Sequence, residues 1–128
     1  MGYIKHHTII VTAWSSEKIR EVQQKAKDIF GKHFTNDPVF MKEPMAKSLV
    51  SEVIEGIANH QYSFFIAPDG SKECWSDSDN ANFARKEFLD WLDKNHDYCN
   101  YFEAIFGGDD EEYRITRSLE TYLNDETD

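Results

Sequence analysis

Six side chains in this sequence are of the types, and at the places, where a small ligand could be held. Trp75 stands in the polar loop PDGSKECWSDSDN, and Phe83 lies near the start of the helix that follows. Trp14 and Ser15 open an earlier helix, and Arg114 and Arg117 sit in the last strand-like run, YRITR. An aromatic ring offers a flat face on which a base can stack. A guanidinium grips phosphate oxygens through paired hydrogen bonds. The free N–H groups and dipole of a helix start favour an anion. Together these three elements would make a nucleotide pocket. Each alone has a plainer explanation. Phe83 can pack beneath the loop against Trp75, and the two arginines can pair with the acidic residues 109–112. In an extended strand, positions 114 and 117 face opposite sides, so a pocket using both would draw one of them from a neighbouring subunit.

Other chemistry finds no pattern. The chain has no G-x-S-x-G, no Walker loop and no G-x-G-x-x-G. His6 and His7 are adjacent, so on a strand they point to opposite faces and do not share a metal. Asp77, Asp79 and Asn80 are oxygen-bearing, but counting from Asp69 places Cys74 where a calcium loop needs glycine. Helix capping by Ser78, Asp79 and Asn80 is the simpler account. Cys74 and Cys99 match no C-x-x-C spacing and read as free thiols of a reducing compartment. The expectation is therefore no catalytic residue, no metal and no cofactor.

Net charge is −10, from 24 acidic and 14 basic residues. That disfavours non-specific attachment to nucleic acid or anionic membrane, both of which attract Lys and Arg clusters. The apolar run in MGYIKHHTIIVTAW is too short for a signal core or a membrane span. A soluble protein of the cytoplasm is expected. The length of 128 residues fits one domain, 1–128.

These residues must be positioned by a mixed fold. TIIVTA, residues 8–13, is β-branched and reads as a buried strand. Ile19, Val22, Ala26, Ile29 and Phe30 then mark one face of a helix, with Ser15 or Ser16 capping its start and Gly31 supplying a left-handed residue at its end. Residues 32–46 hold two prolines and no clean period, and read as a long loop. Two strands are expected around Gly56 and His60, the second over residues 62–67. A helix over residues 81–93 places Ala81, Ala84, Phe88, Trp91 and Leu92 on one face, at the same offsets as the first helix. Residues 101–106 and 113–122 form a closing hairpin. In the latter run, Tyr113, Ile115, Arg117 and Leu119 alternate with Arg114, Thr116, Ser118 and Glu120. The order β-α-β-β-α-β plus a C-terminal strand predicts an α+β, ferredoxin-like domain with both helices on one face of a mainly antiparallel sheet. The other sheet face then needs cover, which predicts a homodimer or higher homo-oligomer.

Taken together, IIVTAW with its amphipathic helix, YSFFIAPDGSKECW, ARKEFLDWLD and FGGDDEEYRITR resemble a group of short phage and prophage proteins, and within it the Thoeris anti-defence proteins. The resemblance covers nearly the whole chain but not residues 32–46. It implies a non-catalytic sponge that sequesters a cyclic ADP-ribose isomer made by bacterial TIR proteins and so blocks Thoeris immunity. The family's pockets lie at subunit interfaces and combine an aromatic stack with arginines on the last strand. Phe83 and the pair Arg114 and Arg117 stand where the resemblance would place such residues. The alternative class is an acidic decoy that imitates DNA phosphates and blocks a nucleic-acid-binding defence enzyme. Residues 107–128 support it with eight acidic residues against two arginines. A nucleotide hydrolase is the third class, set apart by whether a bound ligand is released intact.

Overall fold

The computed structural model describes residues 4–36, 42–95, 99–109 and 111–119. The chain is an α+β domain with a five-stranded antiparallel sheet and three helices among these residues. The elements are β1 (His6–Ala13), α1 (Ser16–His33), α2 (Lys42–Ser48), β2 (Ile54–Glu55), β3 (Tyr62–Ile66), α3 (Ser76–Asn95), β4 (Asn100–Gly107) and β5 (Glu112–Ser118). The sheet order is β2-β3-β1-β4-β5. β1 is therefore central, paired with β3 from Ile9↔Ile66 to Ala13↔Tyr62 and with β4 from His6↔Phe106 to Thr12↔Asn100. No described helix is long and apolar enough to cross a membrane.

The period-2 pattern of the strands sorts side chains onto two unlike faces. Ile9, Val11 and Ala13 of β1, with Phe64 and Ile66 of β3 and Tyr101 and Ile105 of β4, are buried. All of these but Ile105 meet Ile19, Val22, Ala26 and Phe30 of α1 and Ala81, Ala84, Phe88, Leu89 and Leu92 of α3 in one core. Phe64 and Phe88 touch ring to ring with centroids 6.4 Å apart. The two helices share that core, as their matching apolar offsets predict.

Among the described elements, no helix lies over the opposite face. β1 presents His6, Thr8, Ile10 and Thr12 there, and register adds Ser63 and Phe65 from β3 and Ile54 from β2. β4 adds Asn100, Phe102, Ala104 and Phe106, and β5 adds Tyr113, Ile115 and Ser118. Ile10, Phe65, Phe106, Tyr113 and Ile115 are all exposed.

Several elements differ from the sequence expectation. Residues 42–46 are not loop but the start of α2, whose Pro44 falls in the first turn, where proline's missing N–H costs nothing. Residues 37–41 of the expected loop lie outside the described residues. α1 runs past Gly31 to His33 and ends at Phe34. Gly31 instead faces α2, where an added Cβ would run into the side chain of Lys47. α3 begins five residues before the expected Ala81, so Ser78, Asp79 and Asn80 lie inside its first turns rather than capping it. Its buried face includes Arg85 and Asp93, and Trp91 is only partly buried. The first of the two middle strands is reduced to Ile54–Glu55. The last strand ends at Ser118, and residues 120–122 lie outside the described residues.

Candidate functional site

After Ile66 the chain leaves the sheet and crosses residues 67–75 before α3 begins. Three polar anchors fix this loop. Asp69 accepts hydrogen bonds from the Ser71 backbone N–H at 3.2 Å and from the Ser71 hydroxyl. It also pairs with Nη1 of Arg85 at 3.2 Å, while the other arm of Arg85 donates to Asn82 Oδ1. Arg85 is 2% exposed, so its charge survives burial only because both arms are met. Glu73 meets His7 Nε2 at 2.9 Å and accepts from the Ser78 hydroxyl at 3.3 Å. His6 lies across the sheet from His7, against Phe106, so the two histidines divide between the faces as adjacent strand residues must.

Held this way, the loop delivers Cys74 in a left-handed conformation, φ +74, one that non-glycine residues rarely adopt. Trp75 follows. Its N–H donates to the Lys72 carbonyl at 3.2 Å and its carbonyl accepts from the Asp79 N–H at 3.0 Å, which joins it to the first turn of α3. Its ring is half exposed, with Lys72 Nζ 5.7 Å from the centroid. Beside it opens a cavity of about 250 Å³. Phe34, Met45 and Leu49 supply apolar wall opposite Trp75, and Asp69, Ser71, Asp77 and Lys42 supply its polar groups. Lys42 meets Asp77 at 2.7 Å, linking α2 to α3 across the site.

The sequence places Trp75 in a loop before a helix, as found, but hides the opposite wall, because residues 42–46 read as part of a long loop. A signal was present: Glu43 and Lys47 form an i,i+4 pair at 3.4 Å, and Met45, Ala46 and Leu49 follow helical spacing. Arg85 and Asp69 were also missed. A lone Arg within an amphipathic helix gives no sequence sign that its partner lies sixteen residues earlier.

The other candidates lie elsewhere. Phe83 is exposed on α3 and lines neither this cavity nor the polar cleft described below. Trp14 and Ser15 follow Ala13, which pairs with the first residue of β3, whereas the Trp75 loop leaves from the last. The two sites are a strand length apart, roughly 15–20 Å at about 3.4 Å per residue. Ser15 is the N-cap of α1, accepting from the Lys18 N–H at 3.2 Å. The first turn of α3 carries Asp77 and Asp79. Both helix starts thus already hold acceptors or negative charge, and neither offers an unoccupied anion seat.

Arg114 and Arg117 do not face opposite sides. A bulge between Glu103 and Ala104 pairs Arg117 with Glu103 and Arg114 with Ile105. The extra residue on β5 is Thr116, which donates to Glu103 through its carbonyl at 3.1 Å and its carboxylate at 2.8 Å. Both arginines therefore lie on the helix-bearing side. Arg114 pairs with Glu112, within the acidic run foreseen for it. Arg117 instead reaches α3, meeting Asp93 at 2.6 Å and Asp90 at 2.8 Å. Burial opposes its charge, but the hydrogen bonds it donates to Asp93 and Asp90 outweigh that and hold its pKa above the ordinary value. Burial and the Asp93 contact at 2.6 Å likewise raise Tyr101 above the ordinary phenol range. A cleft of about 360 Å³ lies here, lined in part by His7, Arg85, Lys86, Glu103 and Arg117. Its cations are matched by carboxylates: Arg85 by Asp69, Lys86 by Asp90, and Arg117 by Asp90 and Asp93. The arrangement stitches the last hairpin to α3 and has no surplus positive charge for phosphate.

Cys74 and Cys99 are both free thiols, the first exposed and the second buried. Comparison of the chain with protein-family models, with curated proteins and with solved structures gives no match.

Proposed function

We propose that this protein is a non-catalytic binder of a small nucleotide, taken base-first into the cavity beside Trp75. The cavity itself carries the reading: an exposed indole faces an apolar wall, with carboxylates and a hydroxyl around it. A base between Trp75 and Met45 would stack as aromatic rings do, and ribose hydroxyls or an exocyclic amine would donate to Asp69 or Asp77. At about 250 Å³ the space takes the nucleoside part of a ligand, somewhat below the usual range of about 300–1,000 Å³ for complete sites. Phosphates would lie outside, on the side of Lys72, whose Nζ is 5.7 Å from the Trp75 ring. The titratable groups at the site are tied to partners, Asp69 to Arg85 and Asp77 to Lys42, which suits holding a ligand rather than moving its protons. Resemblance to the Thoeris anti-defence proteins makes a cyclic ADP-ribose isomer the first ligand to test. The strand order supports the ferredoxin-like reading that goes with it, with β1–α1–β2–β3–α3–β4 as the core, α2 as an insertion and β5 as an addition.

The test is calorimetric titration with cyclic ADP-ribose isomers, cyclic dinucleotides and adenosine monophosphate, followed by recovery of the ligand after denaturation. Binding with intact recovery supports the proposal. Trp75→Ala should weaken binding roughly tenfold to a hundredfold, since stacking on an aromatic side chain is worth about 1–3 kcal/mol per base. Its melting temperature should hold, because Trp75 is half exposed. Recovery of a converted product would make the chain an enzyme. If none of these compounds binds, the nucleotide reading fails, and the acidic-decoy class is next to be tested, by competition against DNA.

A further inference from the structure

We infer that the open sheet face is a self-association surface, covered by the same face of a second copy. The inference does not depend on the ligand reading. Fourteen side chains are directed to this face by register, eight of them hydrophobic, spread from Ile54 on β2 to Ile115 on β5. None of the fourteen is Asp, Glu, Lys or Arg, although 30% of the chain is. At random about four would be expected.

Three of the hydroxyls present are already used. Thr12 and Ser63 share a hydrogen bond at 2.8 Å, and Thr8 donates to the Ile66 carbonyl at 2.9 Å. Covering the face therefore leaves few hydroxyls without partners. Five strands about 4.8 Å apart, up to eight residues long at about 3.4 Å each, give a patch on the order of 500–600 Å². Two such faces together would bury roughly 1,000–1,200 Å², which reaches the roughly 1,000 Å² in total that a specific interface needs.

The occupant follows from charge. Each copy carries −10, so two copies repel wherever their acidic surfaces approach. This face is where they can meet without bringing charges together or stripping water from them. Two sheets packed in this way would interdigitate their side chains at about 10 Å separation. The β5 edge is the poorer route to association. It is bulged at Thr116 and carries Glu112, Arg114 and Arg117, devices that deter strand addition. A face-to-face dimer leaves the Trp75 cavities on the two outer sides, each complete within its own chain.

The experiment is sedimentation velocity on the whole chain without ligand, from about 1 to about 100 µM, the span in which interfaces of this size assemble. The expected particle is a dimer of two 15.0 kDa chains. Ile115→Arg and Phe106→Arg should each raise the dissociation constant roughly a hundredfold, because each buries an unpaired charge. Ile115 is 65% exposed, so its variant should keep the wild-type circular dichroism even if Phe106→Arg does not fold. Phe83→Arg, on the helix side, should leave the dimer intact. Raising salt should tighten association by screening the mutual repulsion. A 15.0 kDa particle at the highest concentration overturns the inference. So does a dimer indifferent to Ile115→Arg, or one split by Phe83→Arg or by salt.

Discussion

The two faces of the one sheet use opposite means to the same end. Under the helices, charge is admitted wherever a partner is supplied. Arg85 meets Asp69, Asp93 meets Arg117 and Tyr101, and these contacts sit at the margin of a fully apolar centre. On the open face charge is kept out altogether, and half-exposed aromatic and aliphatic side chains take its place. Neighbouring residues on one strand, such as Phe64 and Phe65, therefore meet different surroundings. The first is packed within the chain, and the second stands on the open face.

The sharpest test is to truncate those two neighbours. Phe64 is 1% exposed and packed on Phe88. Phe64→Ala should lose about 3–5 kcal/mol of stability in urea melts, the usual loss for a buried phenylalanine. Phe65→Ala, measured at high dilution, should lose less than about 1 kcal/mol, with its main effect on association instead. Equal losses would erase the distinction between the faces.

The next largest effect belongs to the margin of the covered face. Asp93→Ala removes the partner of both Tyr101 and Arg117, and should destabilise by about 3 kcal/mol, as expected when one side of a buried pair is lost. Asp93→Asn keeps an acceptor and should lose less. If both variants melt like wild type, the network is ornamental and the hairpin is held by packing alone.

The smallest effect sharpens the comparison through pH. Burial, reinforced by Glu21, pushes the Cys99 thiol up from 9.0 to about 11. The folded state thus favours the neutral thiol. This contribution to stability is whole below pH 9.0 and is lost as pH rises through about 11. Urea midpoints should therefore fall over that window, less so in Cys99→Ala when each protein is compared with its own midpoint at pH 8. At pH 8 a thiol reagent should modify Cys74 promptly and Cys99 only on unfolding. Rapid modification of both would mean that the core under the helices opens readily.

Much of the scaffold was legible because its signals are local. β1 follows from a β-branched run, α1 from 3.6-residue periodicity, β4 from a short aromatic and aliphatic run, and the common core of α1 and α3 from their matched offsets. What was illegible depends on contacts distant in sequence. Gly31 looked like a helix terminator, yet its lack of a side chain answers to Lys47 on another helix. The arginines of β5 were assigned to opposite faces by simple alternation, and one bulged residue, Thr116, reversed that. The aromatic at the Trp75 loop could be picked out from composition, but not the wall it faces, since α2 is short and contains proline. Phe83 was rightly placed off the core face, where the sequence gives no sign of what it meets.

The central position of β1 also sets a timetable for synthesis. β1 is made first, but its pairing with β4 reaches from His6 to Phe106, a span of 100 residues. At roughly 5–20 residues per second, on the order of 5–20 s pass between the two. Throughout that interval one edge of an apolar, β-branched strand has no native neighbour. The last hairpin thus completes the sheet only after that interval, and until then β1 stays open along that edge.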